Sequence, residues 1–200
     1  IHNTLKDFHT GLSMGNKLTL TDLYEIYENN WDPAGYIDQA HREKQYEHGK
    51  ELLKEYYKKN IDANIKPEAL EKWFNLRISG IKFNGRIDRI DPLENGKVEI
   101  IDYKTGSAKN QKDVDKNDQL SFYALGATEF LCLKPEKLSL YFLETNEKFT
   151  TRRTPKQLEE VKDKIVETVK EISKGGFKAN PGRHCDYCSY NDICPYASKN

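Results

Sequence analysis

The segment "GRIDRIDPLENGKVEIIDYKTG" (Gly85–Gly106) places an acid and a base where a fold would rarely choose them. Val98, Ile100 and Ile101 form an apolar, β-branched run, which reads as an interior strand that ends in Asp102-Tyr103-Lys104. Side chains alternate across a strand, so Asp102 and Lys104 share one face while Tyr103 points to the other. An unpaired charge in an interior strand costs several kcal/mol. Either the two groups satisfy each other as an ion pair, or they do chemistry: a carboxylate holding a divalent cation, with an ammonium beside an attacking water or a phosphoryl oxygen. Asp88, at the end of the neighbouring strand, adds a second carboxylate. Two carboxylates ~4 Å apart repel by ~4 kcal/mol at an effective dielectric of about 20. A Mg²⁺ or Mn²⁺ ion reverses that liability, because hard cations take oxygen ligands.

Other polar residues carry weaker signals. Asp88 shares parity with Lys82, Asn84 and Arg86, so alternation alone expects it to face solvent. Asp91, beside Pro92, is expected to make a turn. Glu71, just before the first strand, is a lesser candidate for the same site. Gln119 and Tyr123 lie four apart, on one helical face. His9, His41 and His48 are expected on helix surfaces, and Trp31 and Trp73 in core or groove packing.

The elements that must position these groups can be read from periodicity. The first sixty or so residues are helical: Ile1, Leu5, Phe8 and Leu12 have helical spacing, and after Trp31-Asp32-Pro33 comes an amphipathic face of Tyr46, Leu52, Leu53, Tyr56 and Tyr57. "KWFNLRIS", "IKFNGRIDRI" and "KVEIIDYKT" read as strands, the first two as a hairpin through Ser79-Gly80. "NDQLSFYALGATEF" returns to helix and "KLSLYFLE" to strand. Thr154 as N-cap, Pro155 and Gln157 open a last helix that runs to Gly175-Gly176. Helices around a central β-meander, with a further strand after a crossover helix, define a mixed α/β domain over 1–180, followed by a cysteine-rich tail over 181–200. A helix that starts at the first residue with no N-cap suggests a piece of a longer protein.

Composition narrows the class. Lys plus Arg and Asp plus Glu number 32 each, so nucleic-acid binding would rest on local patches rather than on a whole-chain field. Lys109, Lys112, Lys116, Arg152 and Arg153 are candidates for phosphate contacts. No apolar run approaches the ~20 residues of a membrane span, and no secretory signal is present. Cys185, Cys188 and Cys194 form a C-x2-C-x5-C pattern, which favours a metal in a reducing, cytoplasmic setting over disulfides. Zinc and iron–sulfur clusters both take four ligands in such settings. His184 adjoins Cys185 with little slack to bind the same ion, and Cys132 is expected to be a small core residue.

The order G-x-x-D-R-I-D, I-D-Y-K-T-G, Q-x-x-x-Y resembles the RecB-type branch of the PD-(D/E)xK nuclease superfamily, and Ile1–Phe8 resembles its H-x-x-L-x-x-F helix at His2. The resemblance implies a restriction-endonuclease-like core, a central mixed β-sheet flanked by helices. It implies His2, Asp88, Asp102 and the Tyr103 carbonyl as ligands of Mg²⁺ or Mn²⁺, Lys104 at the attacking water, and Gln119 and Tyr123 supporting that lysine and the DNA backbone. The C-terminal cysteines resemble those of the AddB-type and CRISPR adaptation nucleases, which implies a [4Fe–4S] staple with a fourth cysteine ahead of the first helix; zinc fits the spacing less specifically. The implied activity is metal-dependent DNA hydrolysis, as an exonuclease module of a DNA-repair helicase–nuclease with its helicase in the same or a partner chain. A freestanding CRISPR-associated exonuclease and an inactive nucleic-acid-binding module are the alternatives.

Overall fold

The computed structural model describes residues 1–63, 65–107 and 110–197. Three helices come first: α1 (His2–Ser13), α2 (Leu20–Asn29) and α3 (Gln39–Asn60). Strands β1 (Ala69–Ile78), β2 (Ile81–Pro92) and β3 (Val98–Lys104) follow, then α4 (Gln111–Asp115), α5 (Asp118–Glu129), β4 (Pro135–Phe142), β5 (Glu147–Thr151) and α6 (Pro155–Ser173). The chain divides into two compact units, 1–162 and 163–200, so the division falls within α6. No described helix is long and apolar enough to cross a membrane.

The five strands form one mixed sheet in the order β1-β2-β3-β4-β5. Only the β3–β4 pair is parallel, and α4 and α5 supply its crossover. The β1–β2 hairpin closes through Ser79 and Gly80, both at positive φ (49° and 82°), as a type I′ turn requires. Strand β3 is buried along all but its last residue, consistent with its Val98, Ile100 and Ile101. Of its two buried acids, Glu99 is neutralised by Lys148 at 2.8 Å and accepts from Ser139 Oγ at 2.6 Å.

The sheet has a different helical layer on each side. Ile101, Tyr103, Tyr141 and Leu143 pack with Leu5, Phe8, Leu23, Leu52, Leu53 and Tyr56 of α1–α3. Against α5, Phe74 meets the rings of Phe122 and Tyr123. Helix α6 starts as its sequence demands: Thr154 and Gln157 form a reciprocal cap before Pro155.

Three local expectations are corrected. Asp91 is no turn residue: it lies inside β2, almost fully buried, because the buried Arg89 two residues earlier takes it as a counterion at 2.6 Å. Cys132 is exposed at φ 56° in the α5–β4 connection rather than in the core. His9 is buried, as described below. Strand β5 had no sequence signal, since its "EKFTT" is short and only half-buried.

Phe74 is fully buried in a slot between two glycines. A Cβ on Gly126 would lie 2.3 Å from its ring, and one on Gly85 2.1 Å. Gly126→Ala is expected to overpack this slot and lower stability by ~1–3 kcal/mol in urea unfolding, although alanine is the better helix former.

Candidate active site

Strands β2 and β3 pair from Pro92–Val98 as far as Arg89–Ile101 and then part. Asp88 and Asp102 would be the next pair in register. Instead, Asp88 Oδ2 accepts the Tyr103 backbone N–H at 2.8 Å, filling the gap in the ladder with a carboxylate. The same oxygen lies 3.3 Å from His2 Nε2, and that nitrogen is 3.1 Å from the Tyr103 carbonyl. The hydrogen bond to Asp88 raises the His2 pKa against the opposing effect of burial. His2 reaches this point because it is the first residue of α1, whose Leu5 and Phe8 anchor the helix in the core.

The acid–base pair of the sequence is formed. Lys104 Nζ lies 2.6 Å from Asp102 Oδ2 and donates to Gln119 Oε1 at 2.7 Å. The Gln119 amide nitrogen donates to Asp102 Oδ1 at 3.0 Å and to the Tyr123 hydroxyl at 2.8 Å. One amide thus fixes the lysine through its oxygen and the carboxylate and phenol through its nitrogen. Burial raises the Asp102 pKa, and the nearby Asp88 raises it further. Burial, and then the Asp102 charge, push the Tyr123 pKa upward.

Asp88 is nearly buried, although alternation expected it in solvent. Helix α1 brings His2 over it, and strict alternation breaks here: Phe83 packs on Phe122 of α5, whereas Arg89, of the same parity, reaches Tyr56 of α3. Glu71 also joins the group. The register sets it opposite Asp88, since Leu70 pairs with Arg89 and Lys72 with Ile87. Burial and then the Asp88 charge raise its pKa, and Arg86 Nε is 2.7 Å from its carboxylate. Its φ of 48° costs a non-glycine residue about 1 kcal/mol. Nothing in the sequence marks that backbone kink.

Behind the site is a polar network that sequence reasoning missed. Arg89, buried among α1 and α3 residues, donates to the hydroxyls of Tyr56 (3.1 Å) and Tyr103 (3.3 Å) and to His9 Nε2 (2.9 Å). A guanidinium only donates, so His9 Nε2 accepts and the neutral ring carries its proton on Nδ1. His9, expected at the surface, is therefore an interior acceptor: burial, and then Arg89, lower its pKa to about 3. Tyr103 is held from both directions, its backbone by His2 and Asp88 and its hydroxyl by Arg89 and Tyr56.

Other candidates make contacts of their own. His48 is at the surface with Glu144 at 2.7 Å, and His41 is half-buried beside Gln45. Trp31 packs with Tyr27, Tyr36 and Tyr46. Arg153 is tied down by Ser121, Asn117 and Thr151, whereas Lys112 and Lys116 are exposed and Arg152 pairs with Glu136. Lys109 lies outside the described residues. Cys185, Cys188 and Cys194 are free thiols around two short 3-10 turns.

Among the described residues, no three His, Cys, Asp or Glu side chains already stand together as a metal cage. Asp88 is turned to His2 and the Tyr103 amide, and Asp102 to Lys104 and Gln119. The donor set still suits a hard divalent cation, with carboxylate oxygens, a carbonyl and one imidazole. Asp102 Oδ2 is buried against the Lys104 ammonium, 2.6 Å away. The cysteine trio, as placed, does not form such a set.

Two carboxylates and a lysine are thus gathered where the mixed sheet splits. A family model for the PD-(D/E)XK nuclease superfamily matches residues 1–195, and the chain belongs to that superfamily. Its five-stranded sheet flanked by helices is consistent with the restriction-endonuclease-like fold. No curated protein matches the sequence. Among solved structures, the crystal structure of SSO0001 is similar at a TM-score of 0.45 and 20% identity, over 72% of this chain. This chain spans 66% of that one, and so weak a likeness carries no argument.

The His9 shift has a definite sign. Its pKa is 6.5 ordinarily and about 3 in the folded protein, so between these values the unfolded chain binds more protons. Stability should therefore fall as pH drops below about 6.5. His9→Gln, which keeps an acceptor for Arg89, is expected to flatten the slope between about pH 5 and 6.5, where most carboxylates remain ionised, in urea midpoints measured across pH.

Proposed function

We propose that this chain hydrolyses DNA phosphodiester bonds with Mg²⁺ or Mn²⁺. The reading is supported above all by Lys104 held between Asp102 and Gln119, beside a second carboxylate on the adjoining strand. His2, Asp88, Asp102 and the Tyr103 carbonyl are the groups that would hold the ion. The chemistry such an ion supplies when bound is a lowered pKa for an attacking water and neutralised charge at the phosphate.

The chain's own residues do the rest. A DNA phosphate is already anionic, so its attack by hydroxide needs positive charge where the pentavalent state gathers negative charge. The Lys104 ammonium supplies it, at a position set by Gln119 rather than found on each encounter. Asp102 holds the lysine in place, and Tyr123 anchors the Gln119 amide from its far side. His2 and the Tyr103 amide hold Asp88 beside them. No covalent nucleophile is needed.

Within this class the chain is assigned as an exonuclease module of a DNA-repair helicase–nuclease working in the cytoplasm. The support is the motif resemblance around Asp88, Asp102-Lys104 and Gln119-Tyr123. An iron–sulfur cluster on Cys185, Cys188 and Cys194 rests on spacing and resemblance alone, and iron and acid-labile sulfide assays on protein purified without oxygen test it.

Labelled single- and double-stranded DNA should be cut only with Mg²⁺ or Mn²⁺ present, and EDTA should stop the cutting. Lys104→Ala should lower the rate by a factor of ~100 or more. Equal residual rates for wild type and Lys104→Ala would overturn the assignment, and preferential cutting of RNA would overturn the substrate. Because the Asp102 pKa is raised, a proton competes for that carboxylate above the usual aspartate range. The rate should therefore begin to decline on acidification before an ordinary aspartate would titrate, as read from a pH–rate profile.

A further inference from the structure

The ribbon formed by β1 and β2 has two unlike faces. One buries Phe74, Leu76 and Ile78. The other presents three cross-strand pairs, Trp73–Arg86, Asn75–Asn84 and Arg77–Lys82, and all six side chains are exposed. Arg86 ties this row to Glu71, which lies opposite Asp88 in the register, so indole, amides and cations lead away from the carboxylates of the candidate site. Strand rise spaces successive pairs ~7 Å apart, which makes the strip ~20 Å long from Asp88 to Lys82.

Folding alone does not account for this face. Trp73 is 60% exposed on an edge strand, where a bare indole gives no packing and invites association. Arg77 and Lys82 sit directly opposite each other, and like charges in that position destabilise a hairpin. The Arg86 guanidinium lies over the Trp73 ring, 5.4 Å from its centroid, while its Nε holds Glu71. The ring is thereby held in place at the margin of the site. Beyond Glu71 and Asp88 the strip carries three cations and no acid, so its sign is opposite to that of the carboxylate group it leads into.

We infer that this face is a track for an unpaired nucleic-acid strand: Trp73 stacks on a base next to the scissile phosphate, and Arg77 and Lys82 hold the phosphates beyond it. This rests on the nuclease reading and adds to it a strand preference, since a base must be unpaired to lie on an indole. Aromatic platforms combined with cationic grooves bind single strands without reading sequence. Sequence reasoning had placed Trp73 in packing; its register with Arg86, which only the hairpin reveals, moves it to the substrate.

The test uses a fluorescent oligothymidylate and its duplex with oligoadenylate, bound to a Lys104→Ala background in Mg²⁺, with cleavage by the Lys104-containing protein assayed alongside. Trp73→Ala should weaken single-strand binding about tenfold, and Trp73→Phe, which keeps a ring, should recover most of it. Arg77→Ala with Lys82→Ala should reduce the slope of log affinity against log salt by about 1.4, from ~0.7 per phosphate contact on a single strand. With Trp31→Phe removing the second of the two tryptophans, emission from Trp73 should quench as the strand binds. Unchanged Trp73 emission at saturation, unchanged affinity in Trp73→Ala, or tighter binding of the duplex would each overturn the track. If cleavage persists in the Lys104-containing protein in those cases, the nuclease assignment stands without it. Absence of any Mg²⁺- or Mn²⁺-dependent cleavage would remove that assignment instead.

Discussion

Repulsion among carboxylates in a place where water is scarce shapes this molecule. Asp88 and Asp102 occupy facing positions where two strands part, Glu71 sits across the next strand, and burial raises the pKa of both Asp102 and Glu71. An apolar isostere would be easier to bury at each position. The fold answers with donors instead: the His2 ring and the Tyr103 amide at Asp88, Lys104 and Gln119 at Asp102, Arg86 at Glu71. The donors come from four elements, so the acids draw helices α1 and α5 and strands β2 and β3 to one point. Nitrogens stand between the oxygens here, an imidazole between two of them and an ammonium against a third.

Tyr103 links this charged face to the core. Its main chain touches Asp88 and His2, while its side chain passes to the opposite side of the sheet and joins Arg89, Tyr56 and, through Arg89, His9. A buried guanidinium with several acceptors in fixed positions is a demanding arrangement, since losing one partner leaves a desolvated charge. It is also a rigid one. Helices α1 and α3 contribute acceptors to it and, through His2, a contact to the site, so packing of the helical layer and position of the β3 backbone are set together.

How much could be read from the sequence followed from how local each cause was. The Asp102–Lys104 pair, the Gln119–Tyr123 spacing, the Thr154 cap and the hairpin through Ser79-Gly80 depend on residues a few positions apart, and all were legible. Asp88 was read in the wrong environment, because its cover comes from His2, eighty-six positions away. His9 and Asp91 were misread for a shared reason. Both are partners of Arg89, and a buried arginine cannot be inferred from a strand pattern that also suits an exposed one. Glu71 and Cys132 depend on left-handed backbone that no glycine announces.

Binding of Mn²⁺ to the intact chain, followed by titration calorimetry without DNA, bears most directly on the shared-cation site. Saturable binding that Asp88→Asn and Asp102→Asn each weaken at least about tenfold is the expected result, since each removes one anionic ligand from the same ion. Wild-type protein that takes up no Mn²⁺, or variants that bind it as tightly as wild type, would contradict a site built to hold a metal between these two strands.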